Sequence, residues 1–225
     1  MLGHSAPGGS SSGSAAAVAA GFAPLSLATE TDGSITQPAG RASLYGMKVT
    51  VGALSTEGTL PLSPLTDSLG GMAKTTEDLA ALIGVLMETD YSPSLRNTWE
   101  GQRVAWVDPL AWELHPVVCN RNERLQQKQK AEVDERITTM ENSGAHVVKD
   151  VVLPQCSELT WEGEDALEVV WNHDYKNAME KFLAQYAESP IRTVEEVIQF
   201  NKDHKEQELP PGTPLNCLQI SMLMN

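Results

Sequence analysis

Three adjacent hydroxyls, Ser10, Ser11 and Ser12, stand between glycines in the run Gly8-Gly9-Ser10-Ser11-Ser12-Gly13-Ser14. Glycine tolerates backbone shapes closed to other residues, so such a loop can aim several hydroxyls at one point. A phosphate-binding loop would need Gly-Lys-Ser/Thr at its end, which is absent. Gly9-x-Ser11-x-Gly13 matches a nucleophile elbow literally, but no strand precedes it and no downstream Asp/His pair announces itself. A serine-rich linker therefore stays open on this run alone. The second run of interest is Thr29-Glu30-Thr31-Asp32-Gly33-Ser34-Ile35-Thr36-Gln37-Pro38-Ala39, which puts Ser34 after a turn and at the start of a predicted helix. Backbone N–H groups at a helix start lack intrahelical partners, so a carbonyl attacked by Ser34 could place its developing charge among them.

The elements that must position these serines read as alternating helices and strands. Ser14 is expected to cap a short helix over Ala15 to Ala20 that stops at Gly21, followed by a buried strand from Pro24 to Ala28. A helix from about Ile35 to Leu44 leads into a turn or extended stretch from Lys48 to Leu54. Thr75 and Asp78 suggest a capping box, and Leu79, Leu82, Ile83 and Leu86 recur at helical spacing, so a helix is predicted over Thr75 to Met87. Arg103 to Val107 reads as a strand, Asn122 to Ser143 as a long helix stopped by Gly144, and Ala145 to Val152 as a second strand. That order implies a parallel pair with a right-handed crossover, hence an α/β architecture. Two more helices are expected, Glu164 to Tyr186 and Val194 to Lys205, separated by Ser189-Pro190.

Taken together, in this order and at this separation, the two serine runs resemble the amidase-signature family, with its Gly-Gly-Ser-Ser-Gly-Gly-Ser loop and its Gly-Ser-Ile turn. The resemblance continues through Arg41-Ala42-Ser43-Leu44-Tyr45-Gly46-Met47-Lys48 and through Pro61 to Thr75 into Asp78-Leu79-Ala80. It implies a mixed β-sheet core covered by helices, present as a single incomplete domain over 1–225. Residues 7–87 would carry the signature core and 88–225 peripheral elements, with both ends of the fold cut short.

The resemblance also implies roles. Ser34 corresponds to the nucleophile and Ser10 to the bridging serine, which in the family lies next to a cis peptide bond. Gly9 and Ser11 support the loop, and the N–H groups of Thr31, Asp32, Gly33 and Ser34 form an oxyanion hole. A neutral lysine takes the proton of the bridging serine, which takes that of the nucleophile, and water hydrolyses the acyl-enzyme. Such a lysine must be buried away from opposite charge to be a base. In the family it lies roughly seventy residues before the glycine loop, whereas nine residues precede Ser10. Lys48 and Lys74 correspond to structural positions. Asp32 stands where the family often has glycine, and Thr36 where it commonly has an arginine, which argues against recognition of a substrate carboxylate.

The expected activity is hydrolysis of carbon–nitrogen bonds in small linear amides, without cofactor or metal. An inactive amidase-like remnant with an accessory role and the amidase subunit of a transamidation complex stay open. The chain has 225 residues, 41% of them hydrophobic, and a formal net charge of −14. That charge opposes the phosphate neutralisation a nucleic-acid binder needs. Arg121, Arg124, Lys128 and Lys130 interleave with Glu123, Glu132, Asp134 and Glu135 as a solvated helix face. Cys119, Cys156 and Cys217 are widely spaced and odd in number, which suggests thiols in a reducing compartment. No apolar stretch reaches the roughly 20 residues of a membrane span, so a soluble cytoplasmic protein is expected, and a homodimer stays open. His173-Asp174 is read as a non-catalytic pair, and Trp99, Trp106, Trp112, Trp161 and Trp171 as packing residues.

Overall fold

The computed structural model describes residues 7–108, 122–149, 151–153 and 158–208. The three cysteines, His4, His115 and Trp112 lie outside them.

The first helix, α1 (Ser12–Ala19), begins earlier than the Ala15 start expected. Ser14 does not cap it: its hydroxyl lies within the helix and donates to the Leu27 carbonyl, 2.9 Å away. Ser11 is the N-cap residue but makes no capping bond, because its oxygen is committed to the backbone of Thr29. Both hydroxyls thus sew α1 onto β1 (Leu25–Glu30), the strand expected from Pro24, extended by two residues past Ala28. The next helix, α2 (Thr36–Arg41), is shorter than the run to Leu44, since Ser43 turns left-handed (φ 55°) and the chain enters β2 (Tyr45–Lys48).

The central strand, β3 (Ser68–Ala73), runs antiparallel between β1 and β2. Nothing in its sequence suggested a strand, because Gly70 and Gly71 have no side chains to alternate. Its glycines are there for contact: a Cβ on Gly70 would lie 1.9 Å from the Met47 carbonyl oxygen, and one on Gly71 would lie 2.2 Å from Leu82 Cδ2. The bare strand lets α3 (Thr76–Met87) settle on the sheet through Leu82 and Ile83. Thr75 caps α3 by accepting from the Asp78 N–H; the reciprocal half of the anticipated capping box is not formed. Ala15, Ala28, Ile35, Ala39 and Met72 make the core under the serine loop.

Beyond this sheet, β4 (Arg103–Ala105) and β5 (His146–Val148) pair in parallel with Val104 opposite Val147, on either side of α4 (Glu123–Asn142) in sequence. This is the anticipated parallel pair, with Gly144 at φ 97° ending α4. An unanticipated hairpin, β6 (Thr160–Trp161) and β7 (Glu164–Asp165), turns on Glu162 and Gly163, both left-handed. Such a two-residue turn suits the twist of paired strands. Asp165 then caps α5 (Ala166–Ala184), and a full capping box of Thr193 and Glu196 starts α6 (Val194–Asp203), which α7 (Lys205–Glu208) follows. Met179, Val194 and Ile198 form the second core. Trp161 is 65% exposed rather than packed, whereas the Trp171 indole N–H reaches Thr66. No described helix is long and apolar enough to cross a membrane.

Candidate active site

The glycine loop lies against the turn that carries Ser34. A Cβ on Gly9 would sit 2.2 Å from Ser34 Cα, and one on Gly8, which has φ 119°, would sit 2.6 Å from the Pro38 nitrogen. No side chain fits between the two backbones, which is the physical reason for glycine at both positions. The approach lets the Ser10 N–H donate to the Ser34 hydroxyl oxygen at 3.2 Å and the Ser11 N–H donate to the Ser34 carbonyl at 3.3 Å. Ser11, buried behind the loop, anchors it through its hydroxyl to the Thr29 backbone.

The structure thus brings Ser10 and Ser34 together, though the bond between them runs from a backbone N–H to a hydroxyl. The Ser10 hydroxyl itself is exposed and bonds to no described residue. Every peptide bond among the described residues is trans, so the cis bond implied by the resemblance is not seen beside Ser10. Neither serine hydroxyl bonds to a lysine among the described residues; Lys48 Nζ instead donates to the Val49 carbonyl at 3.5 Å.

The turn itself is shaped by groups that sequence reasoning passed over. Glu30, only 7% exposed, reaches forward from the end of β1 and accepts from the Ile35 N–H at 2.7 Å, the Thr36 N–H at 2.8 Å and the Thr36 hydroxyl at 3.1 Å. The donors at the start of α2, expected to be unpaired, are therefore satisfied by a carboxylate, a favourable partner for a helix N-terminus. The N–H groups that remain without an acceptor among the described residues are those of Thr31, Asp32, Gly33 and Ser34, on the turn before the helix. Gly33 takes φ 78°, and a Cβ there would lie 2.5 Å from Gln37 Nε2, so the Gln37 side chain supports the turn from beneath. The Asp32 side chain is exposed and leaves its own N–H available.

One signal for Glu30 was in the sequence: an acid a few residues before a helix start commonly serves that helix's N–H groups. Asp67 gave no such signal. Its Oδ1 accepts from the Thr31 hydroxyl at 2.5 Å and its Oδ2 from the N–H groups of Leu62 and Ser63 at 2.7 and 2.9 Å. Of the pair His173 and Asp174, the aspartate accepts from the fully buried Ser63 hydroxyl at 2.5 Å.

Chemically, this is a half-buried hydroxyl that accepts from the Ser10 backbone N–H, on a turn whose own N–H groups lack acceptors among the described residues. Oxygen nucleophiles that attack carbonyls need donors for the oxyanion that forms and a path for the proton that leaves. Among the described residues there is no cluster of three or more His, Cys, Asp or Glu side chains arranged to hold a metal.

Comparison with known proteins gives the family of the chain. A family model described as Amidase matches residues 3–208. Over 207 residues the chain is 29% identical to a probable amidase of Arabidopsis thaliana, spanning 90% of this chain and 39% of that protein. Over 161 residues it is 35% identical to a glutamyl-tRNA(Gln) amidotransferase subunit of Halorhodospira halophila, spanning 66% of this chain and 31% of that one. An amidase family protein from Bacillus anthracis superposes with a TM-score of 0.77 at 25% identity, over 98% of this chain and 43% of its own. The chain spans less than half the length of each of these three proteins.

Proposed function

The chain belongs to the amidase family, and from that premise we propose that it provides the serine part of a hydrolase that cleaves carbon–nitrogen bonds in small linear amides through an acyl-enzyme. The observation that carries the reading is the Ser34 turn, where the hydroxyl meets the Ser10 N–H at 3.2 Å and four consecutive backbone N–H groups lack an acceptor among the described residues.

Ser34 Oγ attacks the amide carbonyl carbon. Its proton passes to the Ser10 hydroxyl, whose own proton passes to a neutral lysine supplied from outside the described residues. The carbonyl oxygen, now negative, settles among the N–H groups of Thr31, Asp32, Gly33 and Ser34; losing one such donor typically costs about 3 kcal/mol of transition-state stabilisation. The proton returns along the same path to the departing nitrogen as its bond to carbon breaks. Water then hydrolyses the Ser34 ester, with the relay running again. Ser10 is suited to the bridging role because its hydroxyl is uncommitted while its N–H keeps it beside Ser34.

A fluorophosphonate probe tests this directly, since its phosphorus mimics the carbonyl carbon and its P–O oxygen the oxyanion. Ser34 should displace fluoride and become the labelled residue by peptide mapping, with labelling lost in Ser34→Ala and strongly slowed in Ser10→Ala. Label on another serine, or label that survives Ser34→Ala, would overturn the assignment. The likeness to a component of an amidotransferase supports a second reading, in which the chain is part of a transamidation complex. Glutaminase activity that appears only when a second protein of that complex is added would select it.

A further inference from the structure

We propose that Asp67 is a positioning residue for the nucleophile turn, acting through the Thr31 hydroxyl; the inference rests on the role proposed for Ser34. The turn from Thr31 to Ser34 must hold its N–H groups aimed at one point while bonding none of them. Its far end is held by Glu30, which takes the N–H groups of Ile35 and Thr36. Its near end is held by Asp67, whose Oδ1 accepts from Thr31 Oγ1 at 2.5 Å. The two carboxylates thus clamp the turn from either side and leave the donors between them open.

The second oxygen of Asp67 faces the other way. It accepts from the N–H groups of Leu62 and Ser63, and the Ser63 hydroxyl, fully buried, donates to Asp174 on α5. A loop anchored in this manner gives Asp67 a fixed post from which to hold Thr31. A carboxylate suits this post because it offers acceptors at both ends and a charge to strengthen each bond. An asparagine keeps one oxygen for the N–H groups of Leu62 and Ser63 but presents an NH2 group to the Thr31 hydroxyl, which reverses that bond and removes its charge.

The test is a set of fluorophosphonate labelling rates at Ser34, each paired with a thermal melt by circular dichroism. Asp67→Asn should slow labelling about tenfold, less than the hundredfold or more expected when an oxyanion donor is deleted outright. Thr31→Val removes the hydroxyl, keeps the N–H and leaves the Leu62 and Ser63 contacts intact. It should slow labelling to a similar degree with little change in melting temperature, and Thr31→Ser should recover most of the loss. Adding Asp67→Asn to Thr31→Val should slow labelling no further, since both break one interaction. Multiplicative losses in the double variant, or a folded Thr31→Val protein that labels at the wild-type rate, would overturn the proposal. Failure of the wild-type protein to label at Ser34 with the lysine-bearing part present would instead remove the function on which it rests.

Discussion

The segment around the two serines and the helices from Ala166 to Asp203 are held together by opposite means. In the serine segment the bonds that matter join residues far apart in sequence: Ser10 to Ser34, Ser11 to Thr29, Thr31 to Asp67. Backbones approach so closely there that Gly8, Gly9 and Gly70 have no room for a Cβ. Around α5 and α6 the bonds that shape the helix ends are local, while Trp171 and Asp174 tie α5 to Thr66 and Ser63. Asp165 caps its own helix, Thr193 and Glu196 cap each other, and Arg192 closes the end of α5 by donating to the carbonyls of Leu183, Tyr186 and Ala187. Regions built from local signals can lose a bond and keep their geometry. A site built by backbone contact should lose its geometry with a single methyl.

That contrast can be broken most decisively at Gly9. Gly9→Ala places a methyl carbon 2.2 Å from Ser34 Cα, and neither backbone can yield without moving the other, so fluorophosphonate labelling should fall by more than about a hundredfold. A Gly9→Ala protein that labels normally would mean the loop does not shape the site. Next in size is Glu30→Ala, which leaves the N–H groups of Ile35 and Thr36 without their acceptor. One buried and one part-buried donor orphaned in this way should cost about 1–3 kcal/mol in urea unfolding, with slower labelling as the turn loosens.

Arg192→Ala should have the opposite profile: a stability loss of about 1–2 kcal/mol from its bonds to three carbonyls, with the labelling rate unchanged. A collapse of labelling in that variant would show that the two regions are not separable. Thr193→Ala should cost about 1 kcal/mol, the usual penalty for a lost N-cap, and again spare the site. The smallest effect concerns pH. The backbone N–H of Arg192, with that of Thr193, holds the Glu196 carboxyl below the ordinary glutamate value. A depressed carboxyl stabilises the fold fully above its unfolded pKa and loses that contribution as pH falls through the lower folded value. Melting curves of wild type and Glu196→Gln should therefore converge on acidification.

Much of the architecture was legible in the residues. Helical spacing marked α3, α4, α5 and α6 within a few residues, Thr75 marked the start of α3, and the order of Arg103–Ala105, α4 and His146–Val148 announced their parallel pairing. These are signals a chain carries locally, because capping and amphipathic spacing depend on neighbours three or four residues away. The β3 strand was invisible for the converse reason. Its character comes from what lies against it, and its two glycines display no pattern to read.

By itself the sequence offered the hydroxyls of Ser10, Ser11 and Ser34 as candidates and set glycines beside them that free the backbone. The tertiary structure alone decided how they meet: through the Ser10 N–H on the Ser34 oxygen, with the open donors on the turn before α2 and not at the helix start. It also decided that Glu30 and Asp67 hold that turn, since a carboxylate has several acceptor sites and can serve donors that only folding brings within reach. Residue type sets what a group can bond; the packing of β1, β3 and the 61–67 loop sets which partner it finds.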